Sequence, residues 1–321
     1  MRVPEIPPEV AMARHELRAA IEAAVPPKVL DRNLLIATWR WPILSRVSED
    51  WIAPQPQPGL RDRRAVILLA EVVRHFDVVA LQGIMGSAPT LQAVLRVLGP
   101  EWAYMMTGLS RETTYRERTA VVFDTRRVLP QGLAGQVVVP EGGKRRSEND
   151  DFLSSQFFRP PFFAGFRCLG ASFTVVNQHI VFGTEPERVA EMRALCAWVA
   201  EITSGDYWER NLIILGQLQL FRSGSSVHRV FDAAGLRLPP ELVDAPSFVN
   251  SAGNLATMAS SIAWVQPQGR GPELTIPYAR SGVFNYHDRA LLPNEISTDL
   301  DYLSKHLPVW AEFTVAPGRE Y

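Results

Sequence analysis

Residues Asn211–Phe221 read NLIILGQLQLF. The apolar run Leu212–Leu215 ends at Gly216, the pattern of a buried strand handing over to a loop. Open α/β sheets place their chemistry at such C-terminal strand ends. Here the residues that follow are two amides, Gln217 and Gln219, and no acid.

Working outward, Leu34–Trp39 (LLIATW), Asp77–Gln82 (DVVALQ) and Ala120–Asp124 (AVVFD) are further apolar runs. Apolar character without alternation is expected of strands covered on both faces. Gly135–Pro140, Phe162–Arg167, Ala171–Asn177, Ile262–Val265 and Val309–Val315 complete the predicted strands. Helical spacing marks Pro7–Val25, Ala65–Phe76, Thr90–Leu98, Pro186–Ile202 and Ser225–Ala234. The first is expected as an accessory helix (residues 1–30) outside the core, followed by a single domain over residues 31–321. Asp50–Asp62, rich in proline, reads as a loop with no regular structure. Glu141–Asp151 (EGGKRRSENDD) reads as a charged surface loop. Strands outnumber helices, and several lie next to one another in sequence with no helix between them. The expected class is therefore α/β (α+β), a mixed-sheet sandwich flanked by helices, rather than a parallel doubly wound sheet.

The 321 residues carry a formal net charge of -1, with 46% hydrophobic and 21% charged residues. No global basic field argues for nucleic acid, and no polybasic arm for an anionic membrane. Two cysteines, Cys168 and Cys196, form neither a disulfide framework nor a metal pattern and are expected as buried thiols. The N-terminal MRVPEIPPEV lacks the charged and apolar regions of a signal peptide, so a cytoplasmic protein is expected. No apolar run approaches the ~20 residues that span a bilayer.

Five stretches carry a resemblance: NLLIATWRW (Asn33–Trp41), FDVVALQGI (Phe76–Ile84), RTAVVFDTRRV (Arg118–Val128), VVNQHIVFG (Val175–Gly183) with NLIILGQLQ (Asn211–Gln219), and SKHLPVWAEF (Ser304–Phe313). In this order and spacing the chain resembles the endonuclease/exonuclease/phosphatase superfamily, the fold of DNase I and exonuclease III. The resemblance implies a four-layered α/β sandwich with two mixed β-sheets inside and helices outside. It also implies Mg²⁺-dependent hydrolysis of phosphodiesters or phosphomonoesters, with the metal neutralising developing charge and a histidine–carboxylate pair handling the proton.

Matched position by position, the chemistry is missing. The family's asparagine after the first strand is Arg40 here, followed by Trp41 and Pro42. Its metal-binding glutamate is Gly83, and its GDFN motif is GQLQ, with Gln217 and Gln219 replacing aspartate and asparagine. Its tyrosine–aspartate dipeptide is Ala259–Ser260, and its terminal serine–aspartate–histidine is Ser304–Lys305–His306. His179, His306 and Arg118 remain. Mg²⁺ favours oxygen ligands that include carboxylates. Arg40 and Lys305 would replace attraction with repulsion, on the order of 3 kcal/mol per charge pair at ~5 Å and an effective dielectric near 20. No metal or other cofactor is expected.

The candidate catalytic residues are His179 and His306, and the candidate ligand-binding residues are Arg40, Trp41, Arg118, Gln217, Gln219 and Lys305. Each has a plainer reading. The histidines read equally as satisfied core groups, Arg118 as a surface ion pair with Glu117 or Glu112, Trp41 as packing, and the glutamines as filler for the vacated metal hole. Three functional readings follow, in this order. The cleft is repurposed for metal-independent binding of, and acid–base chemistry on, a small organic or anionic ligand. Alternatively, the chain is a non-catalytic pseudoenzyme that binds a nucleotide, a phosphoester or a protein partner. Third, it keeps a residual phosphodiesterase activity. Side chains closed on one another by salt bridges would favour the second reading, and an open pocket with both histidines facing one point the first.

Overall fold

The computed structural model describes residues 5–44, 46–52, 60–109, 117–137, 157–204, 211–265, 274–287 and 302–315. The elements run α1 (Pro8–Ala24), β1 (Asn33–Leu44), β2 (Arg46–Val47), β3 (Leu60–Arg61), α2 (Arg63–Val73), β4 (Val78–Met85), α3 (Pro89–Leu98), β5 (Trp102–Met106), β6 (Glu117–Asp124) and β7 (Leu129–Gln136). They continue with β8 (Phe162–Cys168), β9 (Ala171–His179), α4 (Glu185–Ser204), β10 (Leu212–Phe221), α5 (Ser226–Ala233), β11 (Leu236–Arg237), β12 (Met258–Val265), β13 (Tyr278–Val283) and β14 (Val309–Thr314). The charged stretch Glu141–Asp151 and Glu112 lie outside the described residues.

Two six-stranded sheets are ordered β13-β14-β1-β4-β6-β5 and β11-β12-β10-β9-β8-β7. Each is mixed. A central parallel pair, β1 with β4 and β9 with β10, is flanked by antiparallel neighbours. The helix crossing each parallel pair, α2 or α4, lies on that sheet's outer face.

Three apolar clusters define four layers. The first packs Leu17 and Ile21 of α1, Leu69 of α2 and Leu91 of α3 against Leu35, Ala37, Trp39 and Leu81 of the first sheet. The second lies between the sheets, with Leu34, Ile36, Val121 and Phe123 facing Phe173, Val175, Ile213 and Leu215. The third packs Met192, Leu195, Cys196 and Val199 of α4 and Phe231 of α5 on the second sheet's outer face. Strand alternation decides which residue enters which cluster. Even-numbered β1 residues face the other sheet and odd-numbered ones face the helices.

Three expectations change. α1 is seated in the helical layer: Leu17 and Ile21 are fully buried, and Arg14 and Arg18 lie 2.7 and 2.6 Å from the carboxylate of Glu71, itself fully buried on α2. Leu60–Arg61, at the end of the proline-rich loop, pairs in parallel with Arg46–Val47, so that stretch is not wholly irregular. The strand predicted at Gly135–Pro140 begins earlier: β7 covers Leu129–Gln136, an exposed edge strand with no apolar pattern to mark it, Val137 lies beyond it, and residues 138–140 lie outside the described residues.

Candidate functional site

The C-terminal ends of both parallel pairs open at one end of the inter-sheet core. Alternation carries Thr38 and Arg40 on β1, Gln82 on β4, Asn177 and His179 on β9, Gln217 on β10 and Ser260 on β12 onto the facing surfaces, continuing the rows that begin with Ile36, Ala80, Val175, Leu215 and Ile262. The apolar interior therefore ends in a polar belt.

Its deeper layer ties the sheets together. The Gln82 amide donates to Thr38 Oγ1 at 3.0 Å and to Asn177 Oδ1 at 2.8 Å, and the Asn177 amide donates to the carbonyls of Leu81 and Ala120 at 3.1 and 3.0 Å. Beside it the Gln217 amide donates to Ser260 Oγ.

The outer layer is ionic. Glu117, at the start of β6, is 4% exposed. Its carboxylate lies 3.1 Å from Arg159 Nε, 3.7 Å from Arg40 Nη2 and 3.3 Å from His179 Nδ1. The last contact is too poorly aligned to be a hydrogen bond. Burial alone would raise the Glu117 carboxyl; the contact with His179 and the charges of Arg159 and Arg40 outweigh it and hold the group at about 2. We take the guanidiniums as the decisive partners, because His179 is itself neutral at neutral pH. Burial pushes His179 down to about 4, against the pull of Glu117 and aided by Arg159 and Arg40.

His306 precedes β14. Its Nε2 accepts from Arg40 Nη1 at 3.2 Å, which places its proton on Nδ1. Burial, then Arg40 and His179, holds it well below the usual imidazole range. Ser304 Oγ links the same segments, donating to the Arg40 carbonyl at 2.7 Å and accepting the His306 N–H at 2.9 Å. Lys305 is half-buried between them, its carbonyl accepting the Val249 N–H at 2.8 Å.

Thus Arg40, His179, His306 and Gln217 come together as candidates. Gln219, 4% exposed with φ 53°, follows in the strained end of β10. Trp41 and Arg118 do not belong. Trp41 is fully buried in the helix-side cluster, edge-on to Trp39 at 5.9 Å. Arg118, on the opposite face of β6 from Glu117, donates to the carbonyls of Gly86 and Thr107 at 2.8 and 2.6 Å; it is neither a cleft residue nor a partner of Glu117. Glu117 and Arg159 are the site residues that sequence reasoning missed. Alternation along β6 would have found Glu117, which shares a face with Val121 and Phe123; Arg159 lies outside any strand and had no signal.

No family model matches the chain, and no curated protein matches it by sequence. Solved structures do. An endonuclease/exonuclease/phosphatase family protein from Bacteroides thetaiotaomicron superposes with a TM-score of 0.58 at 17% identity, covering 89% of this chain and 99% of that one. The chain has the endonuclease/exonuclease/phosphatase fold. The mannosyl-6-phosphatase Bt3783 of Bacteroides thetaiotaomicron gives 0.57 at 17% identity over 87% and 99% of the two chains. D. rerio TDP2 in complex with a single-strand DNA product gives 0.55 at 14% identity over 88% and 98%. At these identities the likeness is one of fold.

The endonuclease/exonuclease/phosphatase fold implies a Mg²⁺ ion here, and the described residues do not fit one. Mg²⁺ is held through carboxylates and water. Among the described residues the belt's one carboxylate, Glu117, is already shared by two guanidiniums. Among the described residues no three His, Cys, Asp or Glu side chains converge to hold a metal. Gly83 stands where the resemblance places the metal-binding glutamate. It has φ +82° at a bulge where the β1–β4 register shifts, and a Cβ there would collide with the Trp41 carbonyl. Gly216, at φ +128°, is held in the same way against the Gln178 carbonyl.

Proposed function

We propose that this chain is a non-catalytic protein of the endonuclease/exonuclease/phosphatase fold that binds a small anionic group in its cleft without a metal. The observation that carries this reading is the sharing of the Glu117 carboxylate by Arg40 and Arg159. The Arg40 side chain is 24% exposed, which leaves part of its planar donor fork accessible from solvent. A guanidinium held in a partly dry site favours the oxygens of an anion as acceptors.

The same geometry argues against acid–base catalysis. An effective general acid or base has a pKa near the working pH. Glu117 at about 2 and His179 at about 4 lie far below it, and His306 is displaced in the same direction. The site contains ionisable groups, but none is poised to exchange a proton at neutral pH. This supports the pseudoenzyme reading over the repurposed enzyme.

Calorimetric titration with inorganic phosphate, in Mg²⁺ and in a chelator, tests the reading alongside turnover of a phosphomonoester and a phosphodiester. Binding that is indifferent to the chelator, with no turnover, is expected. Turnover that requires Mg²⁺ would refute it.

A further inference from the structure

Glu71, in the last turn of α2, is a buried carboxylate with more cations around it than it has oxygens. Arg14 and Arg18, one turn apart on α1, both reach it: Arg14 Nε donates to Oε2 at 2.7 Å and Arg18 Nε to Oε1 at 2.6 Å. Each oxygen is thereby bonded once. Arg74, the residue that closes α2, brings a third guanidinium to 3.3 Å, yet its Nε is buried and forms no hydrogen bond among the described residues. Its Nη2 reaches only the Val97 carbonyl, at 3.5 Å.

The charges around Glu71 do not balance. Burial works against the Arg74 cation and Glu71 supports it, but the like charges of Arg14, Arg18 and Arg126 oppose it again. Arg126 is itself held by Asp124 at 2.8 and 2.7 Å, and exposed Glu22 adds one favourable charge beside Arg18. Burial holds His75 below the usual imidazole range, so it adds no charge at neutral pH. Among the described residues Arg14, Arg18 and Arg74 therefore face Glu71 and Glu22, three cations to two anions. The surplus is presented outward. Arg14 and Arg18 are anchored through Nε and make no other side-chain hydrogen bond among the described residues, which leaves both Nη groups of each for a ligand. The three side chains are 27%, 41% and 30% exposed.

We propose that Arg14, Arg18 and Arg74 form a binding site for a phosphoryl group on the α1–α2 surface. Guanidinium forks bind such a group through paired, charge-assisted hydrogen bonds, and a phosphoryl group brings three acceptor oxygens where a carboxylate brings two. Glu71, beneath the forks, fixes their direction before anything binds. The site is independent of the cleft. It lies on the helical face of the first sheet, where α2 runs into the start of β4, whereas the cleft opens at the C-terminal ends of the strands.

The test is titration of the full chain with inorganic phosphate, followed through the arginine Nε–H resonances at constant ionic strength, with chloride as the reference anion. The signals of Arg14, Arg18 and Arg74 should move with phosphate and not with chloride. Arg14→Lys combined with Arg18→Lys keeps both charges and removes both forks, and should weaken phosphate binding here about ten-fold or more. The titration of the native chain decides the matter even where that double variant does not fold. An equal response to chloride overturns the site and leaves only screening. A response at Arg40 alone overturns it and leaves the cleft reading standing, whereas a response at Arg14, Arg18 and Arg74 alone supports it and counts against the cleft. Unchanged affinity in the folded double variant overturns the role of the forks.

Discussion

Arg159 Nε lies 3.1 Å from Glu117 Oε2, inside the end of a sandwich whose neighbouring layers are apolar. With Arg40 on the other oxygen, one buried carboxylate neutralises part of two half-buried guanidiniums. Removing one partner of such a group costs more than removing all of it, because the survivors stay desolvated. Glu117→Gln is predicted to destabilise by about 3–5 kcal/mol, whereas Arg40→Met, Glu117→Leu and Arg159→Met combined should recover most of that loss. Urea unfolding of the two variants decides it; a loss under about 0.5 kcal/mol for the single substitution would show that the cluster does not support the fold.

The histidines make stability depend on acid. His179 is neutral when folded down to about pH 4, while the unfolded chain takes up its proton near 6.5. Between those values the unfolded state binds more protons, so stability falls as pH drops from 6.5 toward 4. The shift corresponds to roughly 3 kcal/mol, with His306 adding in the same direction. Glu117 acts in a lower window: its stabilisation is complete above about pH 4.3 and is lost as pH falls toward 2. Unfolding at pH 7.5, 5.5 and 4.5 should show the decline, and His179→Gln should flatten it. An equal slope in the variant would rule out His179 as its source.

Restoring an acid at position 83 should not restore a metal site. Gly83→Glu forces a Cβ onto the Trp41 carbonyl at a positive φ, which predicts a loss of about 2 kcal/mol or more. Thermal melting should fall for Gly83→Ala and Gly83→Glu alike, with no gain from millimolar Mg²⁺. A Mg²⁺-dependent rise in melting temperature for Gly83→Glu would contradict the geometry.

Glu71 makes α1 indispensable to the helical layer. Its carboxylate is fully buried and reaches Arg14, Arg18 and, at 3.3 Å, Arg74. Glu71→Ala should cost about 3–5 kcal/mol. Deleting residues 1–25 should cost at least as much, because it also uncovers the apolar surface beneath Leu17 and Ile21. A truncated chain with an unchanged melting temperature would show α1 to be dispensable.

What the amino-acid sequence made legible follows burial. β1, β4, β6, β9, β10, β12 and β14 are inner strands, and all were found, if cut short, as apolar runs. The strands missed or displaced within the two large sheets, β5, β7, β11 and β13, are their four edges. An edge strand is covered on fewer sides and carries residues such as Pro130 and Gly132, so no apolar run announces it. The site divides in the same way. Arg40, His179 and Gln217 sit on regular inner strands, where period two predicts the face they show. For Trp41 the packing alternative holds: period two puts it on the helix-side face of Trp39. Arg159 comes from an irregular segment, and no local pattern ties it to Glu117.

Gly83 gives the architecture a direction in time. A chain whose strand was regular here could lose an acid and regain it in one step. Once the backbone has bulged beneath the Trp41 carbonyl, the first step back lowers stability before any ligand is rebuilt, and Arg40 and Arg159 still stand in the way. On the proposed metal-free reading the bulge works as a ratchet: single substitutions can refine what this cleft holds, but none leads directly to a metal centre.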